Sequence, residues 1–226
     1  MIFDPLWLLF TVPGLIIALF AQLFVWFAYN KYSRVKANSN LTGAQVADLI
    51  NNNENFGVDL MVSNGKLNDY FNPLTNRVNI SSANAVSDSV ASIAVVAHEF
   101  GHVQQKAQSS MLFRLRTLIA PSVGFGANVG YILIILGLAL SIIDLAWMGV
   151  ILFSLTTVFA FLTLPIEIDA SRRALKLIQK YNLIQSDLSG ARIVLTAAAL
   201  TYVAGLIQSL GQLLYFVFLV SSRSRE

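Results

Sequence analysis

The sequence contains no cysteine, only two histidines and few charged residues. Without cysteine, the chain can form neither a disulfide nor a thiolate metal site, and it has no thiol nucleophile. Charged residues make up 12% of the 226 residues and hydrophobic residues 56%, whereas a soluble domain has about 25% charged residues. With a mean hydropathy of +0.65, the surface would be too apolar for water, so a lipid bilayer must cover part of it. No nucleic-acid-binding signature is present.

Four apolar segments are long enough to cross a hydrocarbon core, which takes about 20 residues. The first has Asp4 before it and Lys31 after it, unlike a cleaved signal peptide, so we predict an uncleaved anchor. Asp144 separates the second and third segments, which predicts a tight hairpin. The fourth contains Gly205 and Gly211 and is either one tilted helix or two shorter pieces. The segments are residues 5–29, 118–140, 145–164 and 193–220.

The positive charges predict which loops are cytoplasmic. Of the 15 lysines and arginines, eight lie between the first and second segments and five between the third and fourth, whereas the hairpin tip has none. The positive-inside rule therefore places both polar loops in the cytoplasm, with the amino terminus and the hairpin tip outside. Arg223 and Arg225 in the tail conflict with four crossings. Either the rule is overridden there or the fourth segment does not cross fully.

Residues 37–110 have the composition of a small α+β domain. Thr42 and Gln45 form the pattern of a capping box, which predicts a short helix from Gly43 to about Asn52.

Two strands are predicted, at 58–62 and 76–81, and the first is followed by an Asn-Gly turn of the kind that favours hairpins, at 63–66. Part of the second strand, 77–81, could offer an edge to an extended substrate or be an ordinary paired strand.

A further helix is predicted from about Ser87 to about Gln108, capped by Ser87 or Asp88.

This last helix contains both histidines, in the stretch "VVAHEFGHVQ". On a helix, residues four apart lie on one face, so His98 and His102 direct their rings at a common point. Neutral imidazole is a good ligand for Zn²⁺. Glu99 lies where a general base could take a proton from a water activated by that metal. Gly101 costs the helix about 1 kcal/mol relative to alanine, and close approach of another segment would explain it.

A catalytic zinc needs a third protein ligand, and with no further histidine and no cysteine it should be a carboxylate. "LPIEIDASRR" follows the third apolar segment on the predicted cytoplasmic side. Pro165 should prevent a simple continuous helix there. We predict Glu167 as the ligand, with Asp169 orienting a histidine or pairing with an arginine. The alternative is that both carboxylates only pair with Arg172 and Arg173.

Several stretches together resemble the YugP-like family of bacterial membrane zinc metallopeptidases, over nearly the whole chain. They are an amino-terminal anchor, "NLTGAQVADLI", "GKLNDYFNP", "SIAVVAHEFGHVQQ", "LPIEIDASRRAL" and "AALTYVAGLIQSL". The resemblance implies a zinc endopeptidase with the site plan of HtpX-type proteases and one Zn²⁺ per chain. By position, the family's ligand glutamate is Glu167 and its aspartate falls on Ser171 or Asp169. Where family members often have histidine, this chain has Tyr70.

We therefore expect a mainly α membrane protein of the bacterial inner membrane, with about four transmembrane helices and a small zincin-like α+β insert that faces the cytoplasm. The expected activity is a gluzincin-like, HExxH-type hydrolysis of peptide bonds in a protein substrate, which can be a membrane protein. Partner membrane proteins are also expected. The predicted regions are an anchor (1–30), a cytoplasmic α+β segment (31–116), a transmembrane hairpin (117–165), a cytoplasmic segment with the third ligand (166–192), a transmembrane helix (193–220) and a tail (221–226).

Four further residues are candidates for the substrate side of the site or for supporting the ligands: Asp69, Tyr70, Asn79 and Arg172. Tyr70 and Asn79 are candidates for contacts to a tetrahedral oxyanion. Two other functions compete with the protease. A non-catalytic scaffold or quality-control adaptor would keep a structural metal or none. A transporter would need charged residues inside its spans, and the four segments contain none.

Overall fold

The computed structural model describes residues 5–185 and 187–224, so Asp4 and Arg225 lie outside the described residues. Within them the protein is mainly helical, with one small sheet. The elements are α1 (Pro5–Tyr32), α2 (Gly43–Asn53), β1 (Asp59–Ser63), β2 (Tyr70–Asn72), β3 (Arg77–Ser81), α3 (Ser82–Ala85), α4 (Val90–Ala107), α5 (Met111–Ala139), α6 (Ile143–Lys180) and α7 (Leu188–Arg223). Four of these helices, α1, α5, α6 and α7, are long and apolar enough to cross a membrane.

The chain divides into two compact units. One unit, called here the α+β unit, consists of Gln22–Arg114 and Ile166–Leu200. The other, called here the helical unit, holds the described residues of 5–21, 115–165 and 201–224.

The core of the α+β unit lies between α2, α4, the sheet and the carboxyl-terminal part of α6. The capping box that begins α2 is confirmed: Thr42 and Gln45 each accept a hydrogen bond from the other's backbone N–H. The helix buries Val46 and Ile50 completely. Its polar face stays exposed, as expected for a helix with one apolar stripe.

The sheet has the strand order β1-β3-β2, with β1 parallel and β2 antiparallel to β3. The predicted hairpin after the first strand is therefore wrong, because a parallel pair needs a crossover connection. The Asn-Gly turn leads instead into a loop that ends at Asp69. The Asp69 carboxylate accepts hydrogen bonds from the backbone N–H and the hydroxyl of Ser81 at 2.8 and 2.9 Å. These bonds hold the start of β2 against the end of β3.

Of the two alternatives for Arg77–Ser81, the structure shows the ordinary paired strand and not a substrate edge. This strand, β3, is the central one, and its neighbours take its hydrogen-bonding groups on both sides. The open edges belong to β1 and β2.

Helix α4 begins at Val90, three residues after the predicted start at about Ser87. Its N-cap is Ser89, whose hydroxyl accepts a hydrogen bond from Ser92 N–H at 3.2 Å. Neither Ser87 nor Asp88 caps the helix. The Ser87 hydroxyl instead donates to the Ser89 hydroxyl at 2.9 Å, and the Asp88 carbonyl accepts from the backbone of Ala37.

Helix α6 continues without interruption through Pro165, so the predicted break is wrong. Proline removes one backbone hydrogen bond, and long apolar helices tolerate that loss where neighbouring groups compensate. Beyond the proline, Ile166, Ala170 and Ala174 are buried in the α+β core, and this packing favours continuation of the helix. Segment four is likewise a single helix, α7.

Within the helical unit, glycines bring the helices into close contact. A Cβ added at Gly149 of α6 would lie 2.6 Å from the Gly130 carbonyl oxygen of α5, and one at Gly211 of α7 would lie 2.1 Å from the Phe10 carbonyl oxygen of α1. Such small-residue contacts are typical of helix packing in membranes. The hairpin prediction agrees with the α5–α6 pair, whose connection spans residues 140–142.

Candidate metal centre

Helices α4 and α6 bring three potential metal ligands together. His98 and His102 lie one turn apart on α4, and Glu167 lies on α6. The Glu167 Oε2 atom is 3.3 Å from His98 Nε2 and 3.5 Å from His102 Nε2, and one ligand atom from each residue lies within 4.8 Å of the others. Glu167 is 2% exposed. The sequence-predicted ligand set is therefore assembled in one place.

The two histidine–carboxylate separations fit a shared zinc ion. Bonds of about 2.0–2.1 Å place two ligands of a tetrahedral ion about 3.3–3.4 Å apart. The observed N–O separations of 3.3 and 3.5 Å agree with that spacing but are long for hydrogen bonds, which have typical N···O distances of 2.7–3.2 Å. Two imidazoles and a carboxylate are also a donor set that zinc accepts.

Gly101 explains how α6 reaches the site. A Cβ at this position would lie 2.4 Å from the carbonyl oxygen of Ala170, so only glycine lets the two helix backbones approach this closely. The expectation that another segment closely approaches Gly101 is confirmed. Ala170 belongs to the helical turn that follows Glu167, so this contact sets the distance between the ligands of the two helices.

Glu99 lies beside the ligands and is fixed by the sheet. It is 7% exposed, and its Oε2 atom accepts a hydrogen bond from the backbone N–H of Phe71 at 2.8 Å. Burial raises the pKa of the Glu99 carboxyl above its ordinary value, although the two histidines oppose this change. A carboxylate with a raised pKa is a better base at neutral pH than an exposed one.

Each histidine uses its second ring nitrogen for a further contact. His102 Nδ1 lies 2.9 Å from Gln105 Oε1, and His98 Nδ1 lies 3.2 Å from the Ser171 hydroxyl. Burial alone would lower the pKa of His102, but Glu167 and Glu99 outweigh burial and raise it. The same negative charges that attract a proton would attract a metal cation. A proton and a metal ion therefore compete for His102 Nε2, the ring nitrogen that faces Glu167.

Asp169 and Arg172 do not contact the ligand atoms. The Asp169 Oδ2 atom accepts hydrogen bonds from Arg173 Nε at 2.6 Å and from Gln105 Nε2 at 2.8 Å. Asp169 therefore pairs with an arginine, which was one of its two predicted roles. Its link to His102 passes through Gln105. Arg172 is exposed on α6.

The other candidates lie on and around the sheet. Asp69 is used by Ser81 and by Asn84 Nδ2, which donates to it at 2.7 Å. Asn79 is 2% exposed, and its amide donates to the Ser63 hydroxyl and to the Asn68 carbonyl, so both of its N–H groups are occupied. Tyr70 begins β2 and is 49% exposed.

Two residues at the site, Phe113 and Gln105, carried no prediction, and Ser171 was named only as one possible position of the family's aspartate. Phe113 is buried and stacks on the His102 ring, with centroids 5.9 Å apart, and on Phe71. Gln105 and Ser171 support the histidines. A helical pattern could have found the last two, because Gln105 lies on the face of His98 and His102, and Ser171 lies four residues after Glu167. The position of Phe113 depends on where α5 begins, which hydropathy does not fix.

Comparison with known proteins agrees with this site. The family model described as "Putative neutral zinc metallopeptidase" matches residues 7–221. The chain is 36% identical over 216 residues to the "Putative membrane protease YugP" of Bacillus subtilis (strain 168), covering 95% of this chain and 96% of that protein. No solved structure matches the chain. The match over almost the full length, together with the His-His-Glu cluster, shows that this chain belongs to the neutral zinc metallopeptidase family.

Proposed function

We propose that the protein is a membrane-embedded zinc endopeptidase that hydrolyses peptide bonds at the cytoplasmic face of the membrane. The observation that carries the proposal is the convergence of His98, His102 and Glu167 beside the buried carboxylate of Glu99. Family membership supports the reaction class. The charge distribution supports the cytoplasmic side, because most of the lysines and arginines lie in the two loops next to the site.

The metal would be held by Nε2 of both histidines and by Glu167 Oε2. Bound there, zinc would supply a Lewis acid that polarises a carbonyl and makes water acidic enough to attack at neutral pH. Glu99 takes a proton from the attacking water and delivers it to the leaving amine. The Phe71 N–H holds the Glu99 carboxylate in place, and burial keeps it basic.

Strand β2 is the element best placed to bind substrate. The Phe71 N–H points away from β3 and toward Glu99, so the outer edge of β2 faces the site. An extended peptide could pair with this edge through the Phe71 carbonyl, because the sheet does not use that group and the Phe71 N–H is already bonded to Glu99. Tyr70, half-exposed at the start of the strand, would then lie next to the substrate. This assignment takes the place of an edge on β3, which was one of the two alternatives for residues 77–81.

The test compares Glu99→Gln with the wild type in purified, detergent-solubilised protein. Glutamine keeps an oxygen to accept the Phe71 hydrogen bond but cannot act as a base. We expect unchanged zinc content and a loss of casein hydrolysis of about 10²–10⁴-fold. Glu54→Gln is the matched control, because Glu54 bonds Lys180 and Tyr181 outside the site, and it should cleave at the wild-type rate.

Equal casein cleavage by Glu99→Gln and the wild type would overturn the mechanism. A wild-type protein that binds zinc but cleaves nothing would favour the non-catalytic scaffold. In sealed vesicles of known orientation, casein should be cleaved only when it is supplied to the cytoplasmic side, and cleavage from the opposite side would reverse the proposed topology.

A further inference from the structure

One buried side chain on α4, Gln105, contacts both helices that supply the metal ligands. It is 1% exposed. Its Oε1 atom lies 2.9 Å from His102 Nδ1, and its Nε2 atom donates to the Ile166 carbonyl and to Asp169 Oδ2, both at 2.8 Å. All the hydrogen-bonding groups of this amide that face the protein interior therefore have partners.

These partners fix the orientation of the amide. The Ile166 carbonyl and the Asp169 carboxylate can only accept hydrogen bonds, so they must face the NH₂ group of Gln105. The oxygen of the amide is then directed at His102, and a ring nitrogen facing an oxygen must carry the hydrogen. This places the proton of neutral His102 on Nδ1 and leaves the lone pair of Nε2 directed toward Glu167.

The same contacts hold α6 in register with α4. Ile166 immediately precedes the ligand Glu167, and Asp169 follows it by two residues. Asp169 is itself anchored by Arg173, which donates to it at 2.6 Å and also to Gln108, the residue that caps the end of α4. A shift of either helix would break the bonds of Gln105 together with the ligand geometry.

We propose that Gln105 is a positioning residue of the metal centre. It selects the metal-binding tautomer of His102 and holds Glu167 at bonding distance from the same ion, so it sets the affinity for zinc. The inference rests on the proposed function, in which His98, His102 and Glu167 bind zinc. Ser171 gives His98 only a single contact, at 3.2 Å, and its contribution is smaller.

The test is the zinc dissociation constant of the full-length protein, measured by competition with a chromophoric chelator. Gln105→Leu removes all three bonds at similar size, and we expect zinc affinity to fall about 10–100-fold, as is typical when a group that orients a ligand is removed. Gln104→Leu is the matched control: it is the same change one residue earlier, at a side chain whose contact is a 3.3 Å bond with Arg173. The control should bind zinc like the wild type.

Two further measurements separate positioning from stability. The absorption spectrum of bound Co²⁺ should change in Gln105→Leu and not in the control. Gln105→Asn keeps an amide but is one methylene too short to reach both helices. It should also lose zinc affinity, and it provides a polar variant if the leucine protein does not fold.

Equal zinc affinity of the Gln105 variants and Gln104→Leu, with lower melting temperatures, would show that Gln105 is only structural and overturn the inference. A wild-type protein that binds no zinc would overturn the proposed function and this inference together. The two failures are therefore distinguishable from the wild-type titration alone.

Discussion

The α+β unit and the helical unit bury different kinds of groups. In the α+β unit, the buried polar side chains of Gln105, Asn79 and Glu167 each have a polar partner. In the helical unit, backbones approach one another at glycines, and large side chains such as Phe125 and Phe161 are 72% and 66% exposed. An exposed apolar surface of this kind fits a lipid environment.

The candidate metal centre therefore lies in one unit, and most of the long apolar helices lie in the other. Polar groups that must hold a fixed geometry lie in a unit whose packed core resembles that of a water-soluble protein. The helical unit supplies apolar length for the membrane and packs mainly by shape. Helix α6 belongs to both units, since Pro165 is in the helical unit and Ile166 is in the α+β unit. Variants that affect one unit and spare the other can test this division.

The largest effect is expected where a metal ligand is removed. Loss of a group that supports a ligand weakens metal binding by up to about 100-fold. Glu167→Ala should weaken zinc binding by more than this, because the ion loses one of three protein ligands. Asp169→Ala should retain zinc with a smaller loss, since this carboxylate acts through Gln105. Metal analysis of both variants beside the wild type checks the prediction. Equal occupancy in all three proteins would remove Glu167 from the ligand set.

Much of this site could be predicted because few residues could form it. With two histidines and no cysteine in the chain, a third ligand was expected to be a carboxylate. Glu167 follows an apolar segment that was predicted to return to the side of the histidines. The four long apolar helices follow from hydropathy and length, and the helix α2 follows from its capping box.

The errors arose where tertiary contacts decide the local structure. Strand β2 has three residues, too few to show a period of two. The contacts of Asp69 with Ser81 hold the start of β2 against the end of β3, and they join residues that are distant in sequence. The role of Gln105 depends on where α6 passes α4. This could not be predicted, because the helix was expected to break at Pro165.

A smaller effect is expected from Gly101→Ala. The new methyl group would meet the Ala170 carbonyl at 2.4 Å, and the backbones would have to separate, at a cost of about 1–3 kcal/mol in unfolding free energy. Because Ala170 lies between Asp169 and Ser171, zinc affinity should fall as well. Thermal unfolding and zinc titration measure the two effects.

Gly205→Ala on α7 is the control for this change, because a Cβ at that position has no described atom within 4 Å. It should leave zinc affinity unchanged and, if anything, stabilise the helix by up to about 1 kcal/mol. A Gly101→Ala protein as stable as the control would mean that the close approach of α6 to α4 is not required.

The smallest effect on the metal is expected from Gly149→Ala, which places the same kind of clash in the helical unit. Its Cβ would lie 2.6 Å from the Gly130 carbonyl oxygen and 2.7 Å from the Ile134 nitrogen, so the α5–α6 contact should loosen and the melting temperature should fall. Zinc affinity should stay within about 2-fold of the wild type, because substitutions at distant sites that share no interaction partners usually have independent effects. If Gly149→Ala loses as much zinc affinity as Gly101→Ala, the helical unit also determines the ligand geometry, and the division between chemistry and anchoring is wrong.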